Sequence, residues 1–394
     1  MFNFTALPPL SLYIHIPWCV RKCPYCDFNS HEAREQLPEA DYVTALIADL
    51  EQDLPSVWGR PIESIFIGGG TPSLFSPTSI DRLLSEVRAR LPCKPTAEIT
   101  MEANPGTWEY GKFREFRALG VNRLSLGIQS FDAEMLKRLG RIHGSHEAFS
   151  AAETAHAVGF ENFNLDLMYG LPGQASGKSP AQSLSQAMSD IEHAIALKPT
   201  HISLYQLTLE PNTAFYTNPP TLPEDDTLWE MQEQCQSRLA AHHYGQYEIS
   251  AYAQPGRESR HNLNYWCFGD YLGIGAGAHA KISDAQYQHI TRTWKVKNPR
   301  DYMAKATTSE RLGGTQRLTR ADAGMEFMMN ALRLTNGFST TLFTEHTGLP
   351  ISTVAAALTQ AEQKKLITWD IHTIRPTDLG KRFLNDLMAL FLPN

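Results

Sequence analysis

Six times between Leu12 and His242 a short apolar, β-rich run is followed by a segment with helical periodicity. The runs are Leu12–Ile16, Ser64–Gly68, Glu98–Glu102, Arg123–Ile128, Phe163–Tyr169 and His201–Leu207. The helical segments between and after them are Asp41–Leu54, Ser79–Leu91, Tyr110–Leu119, His146–Val158, Ser183–Leu197 and Leu228–His242. In the fourth of these, Ala148, Ala151, Ala152, Ala155 and Val158 share one helical face. Such alternation predicts parallel βαβ units, because a helical crossover is the usual way to bring the next strand alongside in the same direction. Right-handed crossovers then give either a barrel-like arc or an open doubly wound sheet. Six units fall short of a full eight-stranded barrel, so a partial (β/α)6 barrel over residues 1–250 fits better.

Beyond the alternation the pattern changes twice. Residues 251–315 read as a connecting region, with a stretch from Pro255 to Ala280 rich in glycine and aromatics. Residues 316–394 read as a mainly helical, winged-helix-like domain. Its expected parts are helices Ala321–Leu334, Thr340–Thr347 and Ile351–Lys365, a hairpin of Leu366–Trp369 and Thr373–Pro376, and a closing helix Thr377–Phe391. The helix in the recognition position carries only Glu362, Lys364 and Lys365 as charges, so packing is favoured over DNA reading. A length of 394 residues with 42% hydrophobic content suits two or three domains with sizeable cores. A net charge of −7 gives no sign of a general nucleic-acid binder. No apolar run is long enough to cross a bilayer, and Met1 to Leu10 lacks a signal-peptide core, so a cytoplasmic location is expected.

Three of the six cysteines crowd into Cys19, Cys23 and Cys26, directly after the first expected strand. Clustered thiols without a disulfide framework point to metal. The spacing CxxxCxxC places three thiolates on one loop, suited to three corners of an iron–sulfur cube, with the fourth iron open to a small molecule. The other reading is structural zinc, with His15 or His31 as fourth ligand, although no second cysteine pair is present. Working residues of βα barrels sit at the C-terminal ends of strands. Here those ends carry Gly68-Gly69-Gly70-Thr71-Pro72, Glu102-Ala103-Asn104-Pro105, Gln129-Ser130-Phe131, Asp166, and Tyr205 with Gln206. A polar group inside an apolar strand costs about 2 kcal/mol or more unless it is partnered, so a succession of them is informative.

These residues and the βα repeat resemble radical S-adenosylmethionine (SAM) proteins, and over essentially the whole chain the branch related to oxygen-independent coproporphyrinogen III oxidase. The resemblance implies a [4Fe–4S] cluster on Cys19, Cys23 and Cys26, and SAM contacts from Gly69, Gly70, Thr71, Glu102, Gln129, Arg141 and Asp166. It places Tyr13 and Tyr25 beside the cluster and the adenine, and Arg141 against the SAM carboxylate. It implies reductive cleavage of SAM to methionine and a 5′-deoxyadenosyl radical, fed by a flavodoxin- or ferredoxin-type donor. Two departures from the oxidase pattern argue against decarboxylation of coproporphyrinogen III to protoporphyrinogen IX. Phe28 stands where that enzyme has a further cysteine, and the first strand begins near Ser11, leaving little room for the enzyme's N-terminal extension.

A third feature, His261-Asn262-Leu263-Asn264-Tyr265-Trp266, resembles the HNxxYW motif of the heme-chaperone members of that branch. An imidazole can ligate heme iron, and tyrosine and tryptophan offer flat faces to a macrocycle. His261, Tyr265 and Trp266 are therefore heme candidates, with Cys267 and His279 as nearby alternative ligands. The expected partners are heme, the electron donor and a recipient hemoprotein. A membrane-bound recipient would bring the chain to the inner membrane as a peripheral protein. A homodimer is left open, and no catalytic residue is assigned.

Overall fold

The computed structural model describes residues 2–33, 36–105, 110–174 and 180–393. The six expected strands are present: β1 (Leu10–Ile16), β2 (Ile62–Gly69), β3 (Cys93–Ala103), β4 (Arg123–Gln129), β5 (Phe163–Tyr169) and β6 (His201–Gln206). They lie side by side in chain order and run parallel. The helices between them match the periodic segments within a few residues, among them Glu39–Asp53, Pro77–Arg90 and Ser145–Ala157. Local chemistry sets several starts. Ser76 caps Pro77–Arg90 by accepting from Ser79 N, and Ser183 with Gln186 forms a capping box at Leu184–Ala196.

The register explains which side chains face which way. Leu12, Ile14, Ile65, Ile67, Met101, Leu124, Leu126, Leu165, Leu167, Ile202 and Leu204 fall on one face and pack beneath the helices. The alternate positions place Tyr13 beside Phe66, Glu102 beside Ser125, Gly127 beside Asp166, and Asp166 beside Ser203. Period-two alternation thus makes the outer face apolar and the inner face polar.

The segment expected to connect the two domains supplies much of the same sheet. β7 (Gly245–Glu248) and β8 (Ala251–Ala253) continue it antiparallel beyond β6. The chain then crosses to the opposite edge, where β9 (Asp270–Ile274) lies parallel to β1. β10 (His279–Asp284), β11 (His289–Lys295) and β12 (Leu312–Arg317) follow in an antiparallel meander, giving twelve strands in all. The glycine-rich run Gly273–Gly277 makes this possible. A Cβ at Gly273 would lie 1.9 Å from His279 O, and one at Gly275, whose φ is 110°, would lie 2.4 Å from His15 O.

The C-terminal region holds helices Arg320–Ala331, Thr340–Thr347 and Ala355–Gln363 and a small sheet of β13 (Phe338–Ser339), β14 (Ile367–Trp369) and β15 (Thr373–Pro376). The expected helix Ile351–Lys365 is shorter, because Ile351–Thr353 forms a separate tight turn before it. The closing helix is broken into Asp378–Arg382 and Leu384–Ala389 at Phe383, whose φ and ψ are −109° and 45°. The first of these pieces is held against the backbone just before β14, since a Cβ on Gly380 would lie 1.8 Å from Leu366 O. Phe2 and Phe4 stack at 6.1 Å and enter this core with Phe327 and Phe343, so the N-terminal segment is bound to the C-terminal unit.

A buried ionic node joins the expected barrel to the meander. Asp49 and Asp53 of helix Glu39–Asp53 meet Lys295 at 2.5 and 2.6 Å and Arg311 at 2.8 and 2.5 Å. Tyr302 donates to Asp49 at 2.7 Å, and Gly275 N donates to both Asp49 and Tyr302.

Candidate functional site

The strand ends and the cysteine loop enclose a cavity of about 400 Å³. Cys19, Cys23, Cys26, Tyr25, Gly69, Gly70, Thr71, Glu102, Gln129, Arg141 and Asp166 all line it. The loop is pinned at its base, where Trp18–Cys19 pairs with His31–Glu32 in a two-residue ladder. Gly70 lets β2 pass against it: Thr71 N donates to Trp18 O at 2.7 Å, and a Cβ on Gly70 would lie 2.4 Å from that oxygen.

Arg141 organises one wall. Its guanidinium donates to Gly127 O at 2.7 Å, to Asn104 Oδ1, and to Cys23 Sγ at 3.6 Å. Asn104 in turn donates to Thr71 Oγ1 at 2.7 Å. The opposite wall carries carboxyls. Glu102 Oε2 accepts from Gly69 N at 2.9 Å, and burial pushes its pKa up to about 8, with Asp166 adding to the rise. Asp166 accepts from Ser125 Oγ at 2.9 Å and Asn164 Nδ2 at 2.8 Å; burial raises it too, against those hydrogen bonds. Gln129 enters the cavity from a bulge, with φ at 70°.

Cys19 and Cys26 need a cation to lose their protons. Burial pushes Cys19 up to about 11, and the facing Cys26 and Cys23 add to this against a hydrogen bond from Thr71. Burial raises Cys26 as well. A thiophilic metal such as iron would supply that charge, so this donor set fits a metal that binds thiolate and releases protons. Neither histidine of the zinc reading is aimed at the thiols. His15 has Nδ1 on Tyr13 Oη and Nε2 on Asn29 O, both at 2.9 Å, while His31 Nε2 meets Asn29 Oδ1 at 3.3 Å. Among the described residues no group of three or more His, Cys, Asp or Glu is placed to hold a single ion. A cube is compatible with this, because each thiolate takes a different iron.

Not every expected site residue joins this cavity. Tyr13 lines a second one of about 540 Å³, with Tyr265 and Trp266, and Phe28, Gly69 and Glu102 belong to both walls. His261 lines neither. It is 1% exposed, with Nδ1 on Ser64 Oγ at 2.9 Å and Nε2 on Tyr265 Oη at 3.1 Å. Burial, with Arg123 nearby, lowers its pKa to about 3, so the ring is neutral and both nitrogens are engaged. Asn104, Ser125 and Asn164 hold the site together although the resemblance implies no SAM contact for them; Asn104 stands at a strand end with the parity of Glu102, and Ser125 and Asn164 interrupt apolar runs.

The chain matches known proteins along its length. The Radical SAM superfamily model covers residues 13–176, and the HemN C-terminal domain model covers 318–383. The solved coproporphyrinogen III oxidase HemN from Escherichia coli, described as a radical SAM enzyme, has the same fold, with a TM-score of 0.80 at 23% identity over 98% of this chain and 90% of that one. The chain belongs to the radical SAM superfamily, and membership implies a [4Fe–4S] cluster and SAM. It is 50% identical to the protein named heme chaperone HemW of Escherichia coli (strain K12), over 98% of this chain and 99% of that protein. It is 48% identical to the Haemophilus influenzae protein of that name over 98% of each, and 35% identical to the Bacillus subtilis one over 97% and 99%. Within the superfamily the chain belongs to the HemW family. Among the described residues no helix is long and apolar enough to cross a membrane.

Proposed function

We propose that the chain is a heme carrier of the HemW type, holding a [4Fe–4S] cluster on Cys19, Cys23 and Cys26 with SAM in the 400 Å³ cavity, and delivering heme to a respiratory hemoprotein. The observation that carries the reading is the convergence of the three thiols with Arg141, Glu102, Gln129 and Asp166 in one cavity, in a chain whose whole length matches HemW relatives. When bound, the cluster and SAM supply one-electron chemistry, and a flavodoxin- or ferredoxin-type protein serves as donor. Arg141, already directed at Cys23 Sγ, offsets thiolate charge and presents a cation to a carboxylate. Glu102 and Asp166 receive positive charge, the amino group and sulfonium of SAM being suited to them. Gly69 and Gly70 let the backbone approach the ligand, and Thr71 stands beside Cys19. Tyr25 closes the wall next to Arg141 and keeps its hydroxyl proton, since burial raises its pKa.

Phe28, 59% exposed, occupies the place of the oxidase's additional cysteine and offers no ligand. The test is one anaerobic preparation with reconstituted cluster, given SAM, a strong reductant and coproporphyrinogen III, and titrated separately with hemin. Stoichiometric hemin binding without porphyrin product is expected. Formation of protoporphyrinogen IX would overturn the carrier reading in favour of the oxidase.

A further inference from the structure

The inner face of the sheet does not end at β1. The register carries it on through Tyr271 of β9, Lys281 and His279 of β10, and Arg292 and Trp294 of β11. Helix Arg260–Trp266 packs on β1 and β2, and its last residues, Tyr265 and Trp266, reach Tyr271 and share with the extension the lining of the cavity of about 540 Å³. The volume falls within the range of small-molecule and cofactor sites. Its walls are mainly aromatic, from Tyr265, Trp266, Phe268, Tyr271 and Phe28, the surface a flat macrocycle packs against.

Two imidazoles line this cavity, His15 and His279, and they differ in one respect. Both nitrogens of His15 are committed to Tyr13 and Asn29, as both of His261 are committed to Ser64 and Tyr265. The His279 ring, exposed at the cavity, has no hydrogen-bond partner among the described residues. It is oriented by stacking on Trp294, with centroids 6.2 Å apart and planes 25° from parallel, a contact that leaves the nitrogens available. The turn before it is fixed by the Gly275 contacts to Asp49 and Tyr302.

Resting on the heme-carrier reading, we propose that this cavity seats the iron porphyrin, with the His279 imidazole as axial ligand to the iron and His261 as a positioning residue that holds Tyr265. Burial and the nearby Arg292 and Lys297 lower the pKa of His279, which keeps a lone pair available for iron. Lys297, whose charge acts on His279, is exposed and without an ion-pair partner among the described residues, which leaves it free to pair with a propionate reaching out of the cavity. Lys281 and Arg292, by contrast, are committed to Asp270 and Glu326.

The experiment is a hemin titration of the full chain with its cluster reconstituted, following the Soret band and the low-temperature electron paramagnetic resonance of the ferric heme. His279→Gln and His279→Ala should weaken binding at least tenfold and shift the Soret maximum, with iron–sulfur content unchanged. Added imidazole should restore the wild-type spectrum of His279→Ala. His261→Gln should keep the wild-type ligand signature. Wild-type spectra and affinity in both His279 variants would overturn the assignment while leaving the carrier reading standing. Failure of the wild-type chain to bind hemin would instead overturn the carrier reading, and this assignment with it.

Discussion

Replacing Glu102 with glutamine should stabilise the cluster-free chain, and the gain should depend on pH. In the folded chain the Glu102 carboxyl has a pKa of about 8, against 4.5 in its ordinary state. Burial is the main cause, and the neighbouring Asp166 adds to it. Below pH 4.5 the carboxyl is protonated in folded and unfolded chains alike, so it contributes no pH-dependent term. As the pH rises towards 8, the unfolded chain releases a proton that the folded chain retains, and folding becomes progressively less favourable. Each unit in that window is worth about 1.4 kcal/mol, so the cost at pH 7 is at most about 3–4 kcal/mol. Glu102 is only partly buried by surface exposure, and solvent screening makes this a ceiling. Glutamine retains an oxygen to accept from Gly69 N and has no proton to lose. Urea unfolding of both cluster-free chains at pH 5 and pH 7.5 reads the difference. The gap between variant and wild type should be small at pH 5 and widen in the variant's favour at pH 7.5. A gap that does not change with pH would refute the reasoning. The same substitution should weaken SAM binding, so the penalty marks a functional group retained against stability.

Two further substitutions address other levels of the structure. Asp49→Asn leaves Lys295, which is wholly buried, and Arg311 with Asp53 as their remaining carboxylate. Uncompensated buried charge should lower the unfolding free energy by about 3–5 kcal/mol, read as a shift in denaturant midpoint; a loss under about 1 kcal/mol would show that water reaches the node. Cys23→Ala removes one cluster ligand and the sulfur that Arg141 meets at 3.6 Å. Anaerobically reconstituted protein should then lose its brown colour and most of its iron and sulfide, and unchanged content would remove Cys23 from the ligand set.

The barrel arc was legible because its signals are local. β1 to β6 are runs of alternating or continuous apolar residues, and CxxxCxxC, Gly68–Gly70 and the polar strand ends stand out within a few residues of each other. The return of β9 beside β1 was not. Asp270–Ile274 holds a glycine among a few apolar residues, and its partner Leu10–Ile14 lies far away in sequence. Contacts of that span leave no periodic trace, as with Phe2 and Phe4 entering the C-terminal core. His261 shows the same limit. The motif marks it, but burial depends on Ser64, 197 residues away, whose hydroxyl occupies Nδ1. A motif identifies residue types, while the fold decides which of them faces a cavity.

The two cavities share Phe28, Gly69 and Glu102, and this bears on how a cluster can matter to a carrier. Gly69 has φ at 119°, and a Cβ there would lie 2.6 Å from the His15 ring. The peptide is therefore packed between His15 on one side and Glu102, which accepts its N–H, on the other. A cation bound in the first cavity favours ionised Glu102, strengthens its hold on Gly69 N, and fixes the wall against which the second cavity is built. His15 bridges onward through Tyr13 and Asn29, and Asn29 donates to Ala276 O and Lys297 O at 2.9 Å, on either side of β10 and β11. Ligand charge beside the cluster and the shape of the aromatic cavity are thus linked by one peptide and a short hydrogen-bonded chain. On the carrier reading, SAM bound beside the cluster would reach a heme in the second cavity through this shared wall.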